Sequence, residues 1–350
     1  MTQLPYQFAP PTPPIPHDRR TGLIVFGIFA LVIGGMSACF AIVTPLMLVM
    51  TGALSQPPGT NVHVHNAGLD ARSALSAVVV YGVVAAAFIA GGIGSIRTRR
   101  WARPLMLSVA WTWLLVGVLG MIMLAALLPS MQDMMSVSGG AATGPGFAQT
   151  LMWITLVISF IMYIVLPGVF IFFYSSPHVR ETLEHYDPVP GWSDRAPVSV
   201  FTLSVALAVT ALFTLSMITY AIFPLFGTML IGPAAIGANL AASGMLLLAA
   251  YLVFRLRMSG WWLTMVISIV LPLAMIVTMR RIGIVAIYEQ MGIPPEQIVI
   301  VRDNALVHGP LIPIATAVLG VAGVAYLLAV RKFFVAPAGS EARGTVASVS

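Results

Sequence analysis

Eight apolar stretches account for more than half of the chain, and none of them contains Lys, Arg, Asp, Glu or His. Each exceeds or approaches the roughly 20 apolar residues that span the hydrocarbon core of a bilayer. Because a backbone in lipid must satisfy its own hydrogen bonds, α-helices are expected. The sequence therefore predicts an all-α integral membrane protein with eight transmembrane helices, at 22–50, 73–96, 104–128, 151–174, 198–225, 233–254, 261–279 and 310–330.

The composition leaves no room for a soluble domain. The chain of 350 residues is 59% hydrophobic and 8% charged, against about 45–50% and about 25% in soluble proteins. The longest segment between stretches, 280–309, has 30 residues, which is too short to hold a core of its own. We therefore expect the lipid bilayer to be the main partner of the chain.

The charge distribution predicts the orientation. The net charge is +6, but the basic residues are scattered over short loops and form no stripe, so no nucleic-acid partner is expected. With alternating spans, 13 of the 17 Lys and Arg residues fall on the side of the N-terminus. Such a bias indicates that both termini are cytoplasmic. Trp101, Trp261 and Trp262 lie on the same side and are expected to anchor the membrane interface.

The chain also matches itself at an offset of 160. Arg97 then corresponds to Arg257, and Trp101 to Trp261. This pattern predicts two four-helix repeats, which are parallel because four is an even number of spans. The predicted parts are a Pro-rich cytoplasmic tail (1–21), the first repeat (22–174), a cytoplasmic linker loop (175–197), the second repeat (198–334) and a cytoplasmic tail (335–350).

Small residues concentrate in the second helix of each repeat. Ala87 with Gly91, and Gly237 with Ala241, have the spacing that lets helix backbones approach closely. We expect these two helices to pack centrally. On the outer side, 282–301 is rather apolar for a loop and is predicted to fold back as short helices.

Polar residues inside the spans are few and neutral. Asn239 is one, and the fifth span has several Ser and Thr residues, including Thr210 and Thr214 at helical spacing. A polar track of this kind suits a neutral solute, and hydrogen bonding between helices explains it equally well. Proton-driven transport generally uses charged groups within the membrane, and the eight stretches have none.

The linker loop 175–197, called the connecting segment below, is the densest polar segment. If 178–185 continues the fourth helix, His178, Glu181 and His185 share one face, a pattern that can bind a transition metal. A solvated helix with paired charges is the simpler interpretation. A second metal hypothesis joins outer-loop residues, namely His63, His65, Asp70, Asp303 and His308. We expect no metal, no cofactor and no catalytic residue.

The connecting segment also carries a resemblance. The run FYSSPHVR at 173–180 is followed by Asp-Pro at 187–188 and Trp-Ser-Asp-Arg at 192–195. This run resembles a signature in a bacterial family of uncharacterised multi-pass membrane proteins, and 288–297 is similar to a second motif. The family pattern has cysteines where this chain has Leu183 and Ala196, so no thiol or metal role carries over. The resemblance implies residence in a membrane and no specific activity, and the location that we expect is the bacterial inner membrane.

The function expected from the sequence is a non-catalytic membrane protein whose connecting segment is a cytoplasmic contact surface. We expect this surface to contact a protein partner, a second copy of the chain or the protein's own helices. Its candidate residues are His178, Thr182, Glu184, Asp187, Trp192, Asp194 and Arg195. The alternative is a carrier or channel for a neutral or lipid-like solute between the two repeats. A metal-dependent membrane enzyme that uses His178, Glu181 and His185 is the third hypothesis.

Overall fold

The computed structural model describes residues 18–54, 71–138, 145–290, 298, 302 and 311–335. Its α-helices, numbered along the chain, are α1 (Arg20–Leu54), α2 (Ala71–Ile96), α3 (Ala102–Ser138), α4 (Pro145–Phe160), α5 (Leu166–Ser175), α6 (Pro177–Tyr186), α7 (Val198–Ser216), α8 (Pro233–Phe254), α9 (Met258–Ile282), α10 (Ile284–Gln290), α11 (Leu311–Val330) and α12 (Lys332–Val335). A π-helical turn (Ile161–Val165), two 3-10 turns (Trp192–Arg195 and Met217–Tyr220) and two strands, β1 (Ile222–Leu225) and β2 (Thr228–Ile231), complete the fold.

Eight helical segments in this part of the chain are long and apolar enough to cross a membrane, so the predicted number of helices of membrane-spanning length is confirmed. They are Arg20–Met47, Ala74–Ile96, Ala102–Ala125, Gln149–Ser175, Val198–Tyr220, Pro233–Phe254, Met258–Ile282 and Ile312–Val335. Large apolar side chains such as Phe29, Trp153 and Val321 are exposed on the outside of the bundle. Soluble proteins rarely expose so many large apolar groups together, and lipid is the solvent that suits them.

Buried side chains form two main clusters that divide along the chain. One contains Leu23, Phe88, Met106 and Phe170, and the other contains residues from α7, α8, α9, α11 and α12. Helices adjacent in sequence pack together in both halves, α1 on α2 and α7 on α8 most extensively. The halves meet mainly along α3 and α7, and α2 also contacts α7.

Glycines allow α1 and α2 to pack closely. A Cβ atom on Gly92 would lie 2.8 Å from the carbonyl oxygen of Gly27, and one on Gly34 would lie 2.7 Å from Ile89 Cγ1. The close approach expected of the second helix is therefore found in α2. In α8 the expected contact is absent at Gly237, where a Cβ would meet no atom of the described residues within 4 Å.

The fold is not purely helical, because a β-hairpin follows the fifth span at the end of the bundle opposite the connecting segment. The span ends at Tyr220, not at residue 225, and β1 pairs with β2 in an antiparallel register that places Ile222 opposite Ile231. Pro224 lies in β1, where it disfavours helical backbone in the residue before it. Ala221 (φ 50°) and Gly227 (φ 92°) supply the left-handed backbone that the turns require.

Other helix limits also differ from the expected ones. The backbone of α3 stays helical to Ser138, ten residues beyond the predicted end. A π-helical turn precedes Pro167, and there the Leu166 N–H donates to the carbonyl of Ile161. Of the outer segment 282–301, α10 folds back against the bundle as predicted, with Ile284 packed against Met279 and Ile312. Most of the rest of that segment lies outside the described residues.

One aromatic anchor is placed differently from the expectation. Trp262 is 55% exposed, as an interface residue should be, but Trp261 is only 3% exposed. The Trp261 Nε1 donates to the carbonyl oxygen of Leu327 at 2.8 Å. Trp261 therefore stabilises the interior of the second cluster and does not face the membrane interface.

Candidate functional site

The connecting segment folds as two short elements that separate the fourth and fifth spans. Its first part does not continue α5, because Ser176 has an extended backbone (ψ 135°) before Pro177, as expected for a residue that precedes proline. The chain restarts as α6, which buries Val179, Thr182 and Leu183 on one face. The second part is the 3-10 turn at 192–195, which leads directly into α7.

The α6 helix joins the connecting segment to the first half of the chain. Val179 and Leu183 are buried in the cluster that also contains Leu23 and Phe170. Thr182 is fully buried, and its Oγ1 accepts a 3.1 Å hydrogen bond from the backbone N–H of Arg19.

A second tie to the N-terminal end of α1 lies at the end of α6. The Tyr186 hydroxyl donates to Asp18 Oδ2 at 3.0 Å, and the Arg20 guanidinium lies 5.1 Å from the centre of the Tyr186 ring. The start of α1 and the end of α6 are therefore held together by polar and cation–π contacts.

Arg100, in the turn between α2 and α3, contacts both parts of the connecting segment. Its backbone N–H donates to Asp187 Oδ2 at 3.2 Å, and its Nη1 donates to the Pro188 carbonyl at 3.1 Å. Its Nη2 lies 3.4 Å from Glu184 Oε1, and its Nε lies 3.8 Å from Asp194 Oδ2. The Arg100 side chain is only 17% exposed, so water screens these contacts less than ordinary surface pairs.

The 3-10 turn contacts the second half of the chain. The Trp192 ring lies 5.9 Å from the ring of Phe201 in α7 and 6.0 Å from that of Phe254 in α8. Ala196 is buried in the second cluster. Asp194 Oδ2 accepts a 2.7 Å hydrogen bond from the Gly191 N–H, which fixes the start of the turn.

Pairing between Arg180 and Glu184 keeps these two groups of α6 in their charged forms. The Arg180 Nε donates to Glu184 Oε1 at 2.7 Å. This hydrogen bond lowers the pKa of Glu184 below its usual value and raises the pKa of Arg180. A general acid or base needs a pKa moved toward neutrality, so these shifts favour a structural role for the pair.

Five of the seven predicted contact residues make contacts across the segment or to the bundle: Thr182, Glu184, Asp187, Trp192 and Asp194. His178 and Arg195 contribute differently. His178 Nδ1 lies 3.7 Å from Glu181 Oε2 within α6. Arg195 is exposed and has no hydrogen bond or ion pair with the described part of the chain.

The metal hypotheses gain no support from the side-chain positions. The ring of His185 packs edge-on against Tyr186. No group of three or more His, Cys, Asp or Glu side chains that could hold a metal ion occurs within the residues that the structure describes. The outer-loop residues of the second hypothesis, from His63 to Asp70 and from Asp303 to His308, lie outside those residues.

Sequence reasoning missed the basic partners of the segment. Arg99, Arg100 and Arg103 were counted only among the 13 basic residues that predict the orientation. In the structure they also contact the connecting segment or the end of α5, and Arg99 Nη1 lies 3.7 Å from Asp187 Oδ1. The Arg103 Nε donates to the carbonyl of Tyr174 at 2.9 Å. A signal was present: a basic turn and an acidic segment predicted on the same side of the membrane attract each other.

No family model, curated protein or solved structure matches the chain. The role of the chain is therefore inferred from the contacts of the connecting segment.

Proposed function

We propose that the chain is a non-catalytic protein of the bacterial inner membrane, built from two parallel four-helix repeats that the connecting segment joins on the cytoplasmic face. The observation that carries the proposal is that one short segment contacts both buried clusters. Val179 and Leu183 belong to the first cluster and Ala196 to the second. The contact surface expected from the sequence is, in this proposal, directed mainly at the protein's own helices.

Matching turns support the repeat. In each half, the second residue after the end of the second helix has left-handed backbone: Thr98 (φ 50°) follows α2, and Leu256 (φ 54°) follows α8. The next residue is an arginine whose N–H donates to the carbonyl five residues before it, at 2.8 Å for Arg99 and 3.0 Å for Arg257. This pattern is a Schellman motif. The two turns correspond to each other at an offset of 158 residues, which is two fewer than the offset of 160 that aligns Trp101 with Trp261.

The contacts also support the orientation. The N-terminal end of α1, the turn before α3 and the connecting segment are all assigned to the cytoplasmic side by alternation of spans. These three segments meet in the structure, through Arg19 with Thr182 and Arg100 with Asp187. They also hold much of the basic charge that the cytoplasmic side retains.

The hydroxyl groups of α7 favour this proposal over the carrier. Ser204 Oγ donates to the carbonyl of Ala250 in α8 at 2.7 Å. Thr210 and Thr214 each donate to the carbonyl four residues earlier. These hydroxyl groups already form hydrogen bonds to the helix backbones. They are therefore less available to bind a solute.

Proteolysis of the membrane-inserted protein tests the joining role. Arg100→Gln removes the ion pairs with Glu184 and Asp194 and the hydrogen bond to Pro188. We expect faster cleavage within 186–192 and a lower melting temperature in detergent. The matched control is Arg195→Gln, since Arg195 is an exposed arginine of the connecting segment that lacks those contacts within the described part of the chain. Cleavage of Arg100→Gln at the rate of the unmodified protein would reject the proposal.

The carrier is tested separately by screening neutral and lipid-like solutes against the purified protein. A solute that binds the folded state raises its melting temperature. Stabilisation by a neutral solute that is lost in Thr214→Val would favour the carrier over the joined bundle. Retention of a second protein or a second copy on purification would instead favour an intermolecular contact surface.

A further inference from the structure

A cavity of about 330 Å³ lies under the connecting segment, between the start of α3, α6 and the 3-10 turn. Its volume is within the range of small-molecule sites. Its walls include Leu183, Ala196 and Pro197, and its polar lining consists of Arg100, Arg103, Arg180, Glu184, Ser193 and Asp194.

Two polar groups in the cavity wall have unused hydrogen-bonding capacity within the described part of the chain. Ser193 is 2% exposed, and its Oγ has no hydrogen-bond partner there. Arg103 uses its Nε for the Tyr174 carbonyl, whereas its two terminal nitrogens have no partner among the described residues. Buried polar groups are nearly always hydrogen-bonded, so the buried Ser193 hydroxyl indicates a ligand, and the partly buried Arg103 guanidinium offers further donors to it.

The charged groups that line the cavity indicate the charge of that ligand. Three guanidinium groups face the cavity against two carboxylates. Both carboxylates are already engaged, Glu184 by Arg180 at 2.7 Å and Asp194 by the Gly191 N–H at 2.7 Å. The donors that remain available are the terminal nitrogens of Arg103 and the hydroxyl of Ser193. A ligand that accepts from both is an anion with several oxygens.

Phosphate is the anion that this donor set suits best. A guanidinium group presents parallel N–H donors that match two oxygens of a phosphate group, and a serine hydroxyl can donate to a third. The cavity lies beside the first residues of the third and fifth spans, since Pro104 and Val198 line it. That position corresponds to the headgroup level of a bilayer, but it is also accessible from the cytoplasm in the proposed orientation.

We propose that this cavity binds a phosphate group, from an anionic phospholipid headgroup or from a soluble phosphate. Arg103 and Ser193 bind the phosphate oxygens directly, and Arg100 and Arg180 supply the surrounding positive charge. The site requires only the cavity and its donors, and so it extends beyond the joining role of the connecting segment.

The test uses the full chain, purified in a neutral detergent and phosphate-free buffer, with melting temperature as the readout. One arm adds inorganic phosphate, with sodium chloride of equal ionic strength as the control. The other adds mixed micelles that contain phosphatidylglycerol, with phosphatidylcholine as the control. We expect a rise in melting temperature in at least one arm. A rise with inorganic phosphate alone identifies a soluble ligand, and a rise with phosphatidylglycerol alone identifies the headgroup.

Three variants assign the effect to the cavity. Ser193→Ala removes a hydroxyl that has no partner among the described residues, so the variant should fold normally. It should weaken the apparent affinity for phosphate or phosphatidylglycerol about tenfold, because one donor to a charged group is lost. Arg103→Gln should abolish the response. Arg195→Gln, an arginine outside the cavity lining, should retain it.

Two results would overturn the phosphate site. One is the absence of a rise in both arms for the unmodified protein. The other is a response that persists in Ser193→Ala and Arg103→Gln, or that disappears in Arg195→Gln as well. If Arg103→Gln does not fold, Ser193→Ala decides. Because the proteolysis of Arg100→Gln is done without phosphate, failure of the joining role and failure of this site are distinguishable.

Discussion

The hydroxyl groups of Ser95 and Tyr174 lie 2.7 Å apart and share a hydrogen bond between α2 and α5. Both side chains are fully buried. The Tyr174 ring also contacts Phe26, Phe170 and Phe173. A polar pair therefore fixes the register of two helices within an aromatic cluster, next to the start of the connecting segment.

Tyr174→Phe should destabilise the protein by about 1–3 kcal/mol, because it leaves the buried Ser95 hydroxyl without its partner. The free energy of unfolding in mixed detergent micelles measures the effect. The double variant with Ser95→Ala should recover part of the loss. Tyr251→Phe is the control, since Tyr251 is exposed and its hydroxyl has no hydrogen bond within the described residues. Equal stability of Tyr174→Phe and the unmodified protein would show that the shared hydrogen bond contributes nothing.

Gly92→Ala should separate α1 from α2. The added Cβ would lie 2.8 Å from the backbone oxygen of Gly27 and 2.9 Å from Leu31 Cγ, and a backbone atom cannot rotate away. Gly82→Ala, in the same helix, is the matched control because its Cβ would meet no atom within 4 Å in the part of the chain that the structure describes. The control should be neutral or more stable by up to about 1 kcal/mol from helix propensity. The melting temperature in detergent measures the effect. Equal melting temperatures of Gly92→Ala and Gly82→Ala would contradict the prediction.

The spans were predictable because hydropathy over 20 residues is a local property of the sequence. The hairpin was not predictable, because its strands Ile222–Leu225 and Thr228–Ile231 are as apolar as the end of a membrane-spanning helix. What stabilises it is distant in sequence: Asn239 Nδ2 donates to the carbonyl of Ile222, and the Gly227 N–H donates to Thr278 Oγ1. Side chains from two other helices thus decide the backbone conformation here.

The candidate site likewise has one part that the local sequence predicts and another that depends on contacts distant in sequence. The sequence identified the connecting segment from its local density of polar residues. It did not identify Arg100 as the partner of Asp187, because 87 residues separate the two. Spacing within one helix, which suggested His178 with His185, was a poorer guide than charge complementarity between segments on the same side of the membrane.

Acid should weaken the connecting segment. The pKa of Glu184 is lowered from its usual value of 4.5, chiefly by the hydrogen bond from Arg180. The stabilisation is therefore present above the unfolded pKa and is lost as the pH falls through the lower pKa of the folded state. Melting temperature measured from neutral to acidic pH should fall less steeply in Glu184→Gln than in the unmodified protein. An unchanged slope in Glu184→Gln would contradict this origin, and Arg195→Gln should retain the slope of the unmodified protein.

Trp261→Phe tests whether the second cluster depends on a polar contact as the first does. The buried indole donates to the Leu327 carbonyl at 2.8 Å and joins α9 to α11. Phenylalanine removes the donor and some volume, so we expect a loss of about 2–4 kcal/mol in the free energy of unfolding. Trp262→Phe changes the adjacent, exposed side chain and should cost less than about 0.5 kcal/mol. Equal losses of stability in the two variants would show that the hydrogen bond from the buried indole contributes nothing measurable.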